Sequence, residues 1–301
     1  MKLIKNNVDL IKQGPGLEGV YKQIEQASRT CYKSEDKITE DSAKDFVRRM
    51  ISSGHLSMLE HGTVYLLVPF ETHTTKYRNN EYSKVVDIAK DTMNDNSAVT
   101  TNMRVIVENN WLDDLKYLCE PTEYHIKRYT MKFTIDRGVS HEFVRHRVFS
   151  FAQESTRYCN YSKDKFNNEL TFIIPKWVNI EEGTHNTVSA LLDIQSTEET
   201  LWYESCYMSE WNYKKLLELQ STPQEARAVL NNSLKTELVM TGYLKDWKHF
   251  FDLRLHGTTG KPHPDAQYAA ALAYKKFVDN DIIPNMEQIQ MLCDSIINKN
   301  E

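Results

Sequence analysis

Short stretches rich in β-branched and aromatic residues stand in the middle of the chain, between segments of helical periodicity, and this arrangement limits the folds open to it. Thr63 to Phe70, Met103 to Val107, Arg128 to Ile135 and Leu170 to Ile174 have the Val, Ile, Tyr, Phe and Thr content of strands. Residues 17–33 and 41–53 are predicted helices. The second repeats Phe46, Val47, Met50 and Ile51 at three-to-four spacing, and Gly54 ends it. Thr75 to Ala98 is polar and poor in strand signals, which leaves open an exposed insertion or a helix on the rim.

The clearest helix start is Ser221-Thr222-Pro223-Gln224-Glu225, with Thr222 as cap, Pro223 at the first helical position and Glu225 completing a capping box. A long helical region is predicted to follow through Leu230, Leu234, Leu238, Leu244, Trp247 and Phe251, punctuated near Thr241-Gly242. It ends before the loop His256 to Pro262, and another helix runs from Pro264 to Asp279. There is no internal repeat and no low-complexity linker. The expectation is an α+β fold, a single domain over 1–301 with a central mixed or antiparallel β-sheet flanked by long helices.

Composition narrows the function. With 40% hydrophobic and 26% charged residues the chain has the profile of a globular protein with a sizeable core. A net charge of −5 argues against broad attachment to nucleic acid, so any anion has to be bound locally. No run approaches the ~18 apolar residues that span a bilayer, and Met1 to Asn7 lacks the apolar stretch of a signal peptide, so no membrane partner and a cytoplasmic location are expected. Cys31, Cys119, Cys159, Cys206 and Cys293 are widely separated with no C-x-x-C pair, so they read as reduced and structural.

Local chemistry is concentrated between Ser140 and Tyr158. Arg145, Arg147 and Arg157 stand there with His141, His146, Gln153, Ser155 and Thr156 among aromatic residues. Arginine offers a planar fork of donors suited to phosphate or to the carbonyl edge of a heterocycle, so such a segment can hold a nucleotide or a polyanionic cofactor. The plainer alternative is a surface helix whose arginines pair with Glu142 and Glu154. A metalloprotease is excluded: His141 and His146 are five apart, one residue too many for H-E-x-x-H, and on a helix they point ~140° apart. No metal site is expected. Gly257-Thr258-Thr259-Gly260-Lys261 is no Walker loop either, because the spacing is short and Pro262 follows.

Arg145-His146-Arg147, with Gln153, Ser155 and Arg157 following, resembles the signature of the flavin-dependent thymidylate synthases. Upstream, Gly54-His55-Leu56-Ser57-Met58-Leu59-Glu60-His61 is similar to that family's G-H-x-S-x-x-E-H segment. Downstream, Pro223 to Leu230 looks like its P-x-x-A-R-x-V-L helix, Trp247 to Arg254 like its W-x-x-F-x-x-L-R helix, and His263-Pro264-Asp265-Ala266-Gln267 like the next helix start. These segments run in the family's order from about residue 27 to residue 275. The chain departs from the pattern at Ala152, where many members have Asn, at His249, which replaces a flavin-contacting Asn, and around Met240 and Tyr243. The loop 256–262 also sets Arg254 further from His263 than in shorter members.

The resemblance implies reductive methylation of dUMP to dTMP, with methylenetetrahydrofolate as one-carbon donor, NADPH as reductant and FAD as cofactor. It implies a homotetramer with shared active sites. Carried over residue by residue, Glu142, Arg145, Gln153, Glu154, Ser155, Thr156, Arg157, Arg227 and Arg254 surround dUMP, Arg227 reaching it from another subunit. Ser57, Arg145, His146, Arg147, Gln153, Lys245 and His249 contact FAD. Arg254 is the catalytic candidate, because cationic donors stabilise negative charge developing on a uracil ring. Ser155 is expected to hydrogen-bond rather than act as a nucleophile, since no activating His and carboxylate stand beside it in the sequence. Two competing readings are a nucleic-acid binder that uses the Arg and aromatic cluster for stacking, and a related flavoprotein that only oxidises NADPH.

Overall fold

The computed structural model describes residues 1–88, 96–161, 168–185 and 197–298, the side chains of residues 70–73 excepted. Along the chain run β1 (Lys2–Ile4), β2 (Asn7–Ile11), α1 (Gly16–Tyr32), α2 (Ser42–Ser52), β3 (Thr63–Pro69), α3 (Phe70–Arg78), β4 (Lys84–Ile88), β5 (Asn96–Asn102), α4 (Met103–Glu108) and β6 (Arg128–Asp136). There follow α5 (Arg137–Phe143), β7 (Ser150–Gln153), β8 (Thr171–Ile173), β9 (Gly183–Thr184), α6 (Glu198–Glu218), α7 (Pro223–Ala226), β10 (Lys235–Tyr243), α8 (Leu244–Arg254), α9 (Pro264–Asp279) and α10 (Glu287–Ile297). The fold is α+β, as the mixture of strand-like and helical segments predicts.

A four-stranded antiparallel sheet in the order β2-β6-β10-β7 positions the site. β6 and β10 pair along their whole length, from Arg128 opposite Tyr243 to Asp136 opposite Lys235. Alternation along the strands sends Met131, Phe133, Ile135, Leu238 and Met240 to one face, where they pack with Phe143, Trp247, Phe250 and the alanines of α9. Fully burying side chains of this size stabilises by roughly 2 kcal/mol each, so this aromatic core anchors α5 and α8 firmly. On the opposite face Val239 and Ala152 meet Ala27 of α1. That helix also gives Val20 and Ile24 to a second core under the antiparallel sheet β3-β5-β4. A third small sheet, β8-β1-β9, combines a parallel and an antiparallel pairing and packs under α6.

Four expectations are corrected. The long helix from Thr222 does not form. The Pro223 start is real, and Glu225 accepts from the Thr222 N–H at 2.7 Å, but α7 lasts only to Ala226 and a 3-10 turn carries the chain to Val229. Lys235–Tyr243 is then the central strand β10. Leu230, Leu234 and Leu238 imitate helical spacing, while the strand is covered on both faces and so lacks the in-out alternation that would have revealed it. Met103 to Val107 is not a strand: Asn102 accepts from the Val105 N–H at 3.1 Å, caps α4, and ends β5 there. Nor is Thr75 to Ala98 strand-poor, because its described part holds the end of α3, all of β4 and the start of β5; residues 89–95 lie outside the described residues. Arg145 to Arg147 lies in a turn after α5, so a surface helix does not carry it. The sequence carries no clear signal for the strands β1, β2, β7 and β9 or for the helices α6 and α10.

Other features agree. Gly54 stands just past α2 at φ +73°, and residues 256–262 form a turn in which Gly257 is also left-handed at φ +67°. None of the five cysteines is joined in a disulfide. Burial pushes the thiols of Cys31 and Cys293 up to about 11 and that of Cys206 up to about 12, which keeps them protonated and unreactive. Among the described residues no helix is long and apolar enough to cross a membrane.

Candidate active site

Asp136 ends β6 and caps α5 by accepting from the Val139 N–H at 2.7 Å. Burial raises this carboxyl to about 6. Beyond α5 the chain turns through residues 144–149 with every third residue buried: Arg145 and Arg147 are exposed, and His146 between them and Phe149 are buried. The buried positions act as anchors. The His146 ring lies 5.1 Å from that of Phe250, and Phe149 lies 4.7 Å from Trp247. Phe149 reaches its place because Gly242 has no side chain; a Cβ there would fall 2.5 Å from the Phe149 ring.

Arg254, at the end of α8, points back into this turn. Its Nη1 donates to Glu142 Oε2 at 2.6 Å, its Nη2 to the Glu142 carbonyl at 2.9 Å, and its Nε to His146 Nε2 at 3.0 Å. His146 must therefore be neutral, with its proton on Nδ1. Burial, and after it the neighbouring Arg254 and His249, lower it to about 4. The guanidinium is thus held on three sides and keeps its remaining N–H groups for a ligand.

β7 leads to a second turn. Gln153 donates to Ser140 Oγ of α5 at 2.8 Å and to Thr236 Oγ1 of β10 at 3.3 Å. Glu154 points inward and is 2% exposed; its carboxylate accepts from Tyr161 at 3.0 Å and from Lys235 at 2.7 Å. The Ser155 N–H donates to the Cys31 carbonyl at the end of α1, and Thr156 Oγ1 accepts from Arg227 Nη1 at 3.3 Å. Arg157 is exposed and lies over the Tyr158 ring. Ser57 is exposed on a 3-10 turn whose next residue, Met58, contacts Cys31.

The structure thus brings Glu142, His146 and Arg254 into one group and Thr156 and Arg227 into another, with Gln153 tied to α5 between them. Lys245 and His249 are exposed on α8; the His249 ring lies 6.3 Å from that of His146. Among the described residues Arg145, Arg147, Arg157 and Arg227 have no carboxylate partner, while Glu142 pairs with Arg254 and Glu154 with Lys235. The plain alternative of arginines neutralised by these two glutamates therefore does not hold. His61 and Glu60 of the upstream segment are structural: His61 bonds Thr241 Oγ1 at 2.8 Å in full burial, and Glu60 pairs with Arg104. Burial, with Arg128 adding to it, lowers His61 to about 3. Lys235 escaped the sequence reading, because a lysine at the start of an unrecognised strand carries no signal of its own.

A cavity of about 390 Å³ lies elsewhere, between the start of α1, the start of β6 and residues 118–121, and contains none of these residues. Arg145, Arg147 and Arg157 on the two turns are open to solvent and lie outside that cavity's lining.

Fold and site together define an α+β protein with unpaired guanidinium groups suited to a polyanionic ligand. The sequence model of the family described as thymidylate synthase complementing protein matches residues 79–281. The chain belongs to that family. It is 33% identical over 121 residues to the flavin-dependent thymidylate synthase of Corynebacterium aurimucosum, covering 40% of this chain and 46% of that protein. It is 30% identical over 129 residues to that of Pyrococcus furiosus, covering 42% and 46%. The match spans about half the length of these relatives. A solved structure of the UMP/dUMP methylase PolB from Streptomyces cacaoi is 16% identical at a TM-score of 0.44, with 93% of each chain covered.

Proposed function

We propose that the chain, over 1–301 as one domain, methylates dUMP to dTMP with methylenetetrahydrofolate as one-carbon donor, NADPH as reductant and FAD as cofactor. The observation that carries this reading is Arg254, gripped by Glu142 and His146 inside a turn flanked by the unpaired Arg145 and Arg147. Those two exposed guanidinium groups fit the diphosphate of FAD, with Ser57, His146, Gln153, Lys245 and His249 as its further neighbours. Arg157, Arg227, Ser155 and Thr156 fit the phosphate and sugar of dUMP, near Glu142, Arg145, Gln153 and Glu154.

FAD, when bound, supplies the one-carbon and electron transfer that side chains cannot. The protein's residues orient and polarise. Methylation requires carbon five of uracil to become nucleophilic, which places negative charge on the ring nitrogen and carbonyl oxygens. The free N–H groups of Arg254 offset that charge in a preorganised direction, because Glu142 and the neutral His146 already hold the guanidinium and little reorganisation is left to do. Ser155 orients the nucleotide by hydrogen bonding. The openness of the arginine turns supports a homotetramer in which a neighbouring copy closes each site. A cytoplasmic enzyme is proposed.

Purified protein reconstituted with FAD is expected to form dTMP from dUMP only when methylenetetrahydrofolate and NADPH are both present. NADPH oxidation without dTMP, under those conditions, would sink the reading in favour of a simple oxidase.

A further inference from the structure

We propose that Lys235 is a positioning residue for the turn Ser155–Arg157, acting through a buried chain of ion pairs beneath it; this rests on the dUMP reading of that turn. Lys235 Nζ lies 2.7 Å from Glu154 Oε2 and 3.1 Å from Glu237 Oε1. Glu237 is bound in turn by Lys33 of the α1 C-terminus at 2.7 Å and by Lys132 of β6 at 2.6 Å. Each of these side chains is a quarter exposed or less, so the pairs are shielded from solvent and held in one geometry. The lysines on three sides hold the Glu237 carboxyl well below the usual range, although burial alone would raise it.

The geometry gives the chain a direction. Glu154 immediately precedes the turn, and its N–H donates to the Glu237 carbonyl at 2.8 Å while its carboxylate is drawn down to Lys235. With Glu154 fixed inward, Ser155 comes to Cys31, Thr156 to Arg227, and Arg157 is left outward. The Ser155–Cys31 tie joins backbone groups and the Thr156–Arg227 tie joins side chains, and they follow one and two residues after the anchored Glu154. Lys235 itself touches no residue assigned to the ligands except Glu154, so its effect on them passes through that carboxylate.

The test compares Lys235→Met, Lys235→Arg and Glu154→Gln in the full chain reconstituted with FAD. Readouts are hydrogen exchange of a peptide spanning 153–159, dUMP affinity by calorimetry, and kcat and KM for dUMP. Lys235→Met is expected to speed exchange in 153–159 at least tenfold while α9 is unchanged, and to raise the dUMP Kd and KM about tenfold with kcat within threefold; Lys235→Arg restores most of both. If Lys235→Met does not fold, Glu154→Gln, which leaves the Lys235–Glu237 pair in place, is expected to loosen the same peptide. A folded Lys235→Met, or failing that Glu154→Gln, with unchanged exchange in 153–159 overturns the proposal. So does a drop in kcat with Kd unaltered. If the wild type binds no dUMP, the functional reading fails, and the exchange measurement still decides whether Lys235 holds the turn.

Discussion

His146 sits between two outward arginines, and its Nε2 is already committed to Arg254 at 3.0 Å. The ring therefore serves as an acceptor that aims a guanidinium, and Glu142 completes the grip with both its carboxylate and its carbonyl. Arg254→Ala is expected to lower dTMP formation by roughly 10²–10³-fold, the loss typical of one preorganised charge donor, while FAD stays bound. Flavin absorbance after gel filtration checks this; loss of FAD from a folded variant would mean that Arg254 serves the flavin. At this scale Arg145 and His146 stand out by the local density of Arg, His and hydroxyl residues, whereas Arg227 and Arg254 are picked out only by the family resemblance. What the sequence did not disclose was pairing. That Glu142 belongs to Arg254 and Glu154 to Lys235 depends on strand register and helix direction, which lie more than 80 residues apart in the chain.

Among the elements, β10 does the most to shape the site. One face meets α1 and the other α8 and α9, and near its end Gly242 admits the Phe149 ring. Gly242→Ala is expected to push Phe149 off its site and cost about 1–3 kcal/mol, the range for overpacking a filled core. Urea denaturation measures it, and a cost below about 0.5 kcal/mol would mean that the ring shifts freely. β10 was also the largest misreading of the sequence. A strand covered on both sides loses its period of two, and leucines four apart then favour a helix. Near Asn102 the error ran the other way, because an N-cap three residues before Val105 outweighed the strand preference of Val105, Ile106 and Val107. The segment α2, read as a helix, buries Ala43, Phe46 and Val47 on one face and keeps its period visible.

For the molecule as a whole, buried titratable groups set the response to acid. His61 and His146 are lowered to about 3 and about 4, below the ~6.5 of an unfolded histidine. The unfolded chain therefore takes up protons first as pH falls, and the stability present above pH ~6.5 is lost on the way down toward those folded values. Asp136 acts in the opposite sense: raised to about 6, it adds stability as pH falls from there toward the unfolded carboxyl range. Burial also lowers His125 and raises Asp246 and Asp265, but the largest shifts in this range are those of His61 and His146, so the thermal midpoint is expected to fall between pH 6.5 and 4. Scanning calorimetry across that window is the check, and a midpoint that is flat or rises would contradict the assignment of two neutral buried rings.

One feature bears on how such a chain can change over time. β10 runs without a break into α8, so Lys235 at its start and Arg254 at the end of the helix are joined by a rod of fixed length. Adding or removing one residue within it would exchange the strand's faces or rotate the helix by ~100°, parting Arg254 from Glu142. Insertions and deletions are therefore confined to the ground outside the rod, and the glycine-bearing loop 256–262, which begins just beyond Arg254, is where this chain can lengthen without disturbing its chemistry.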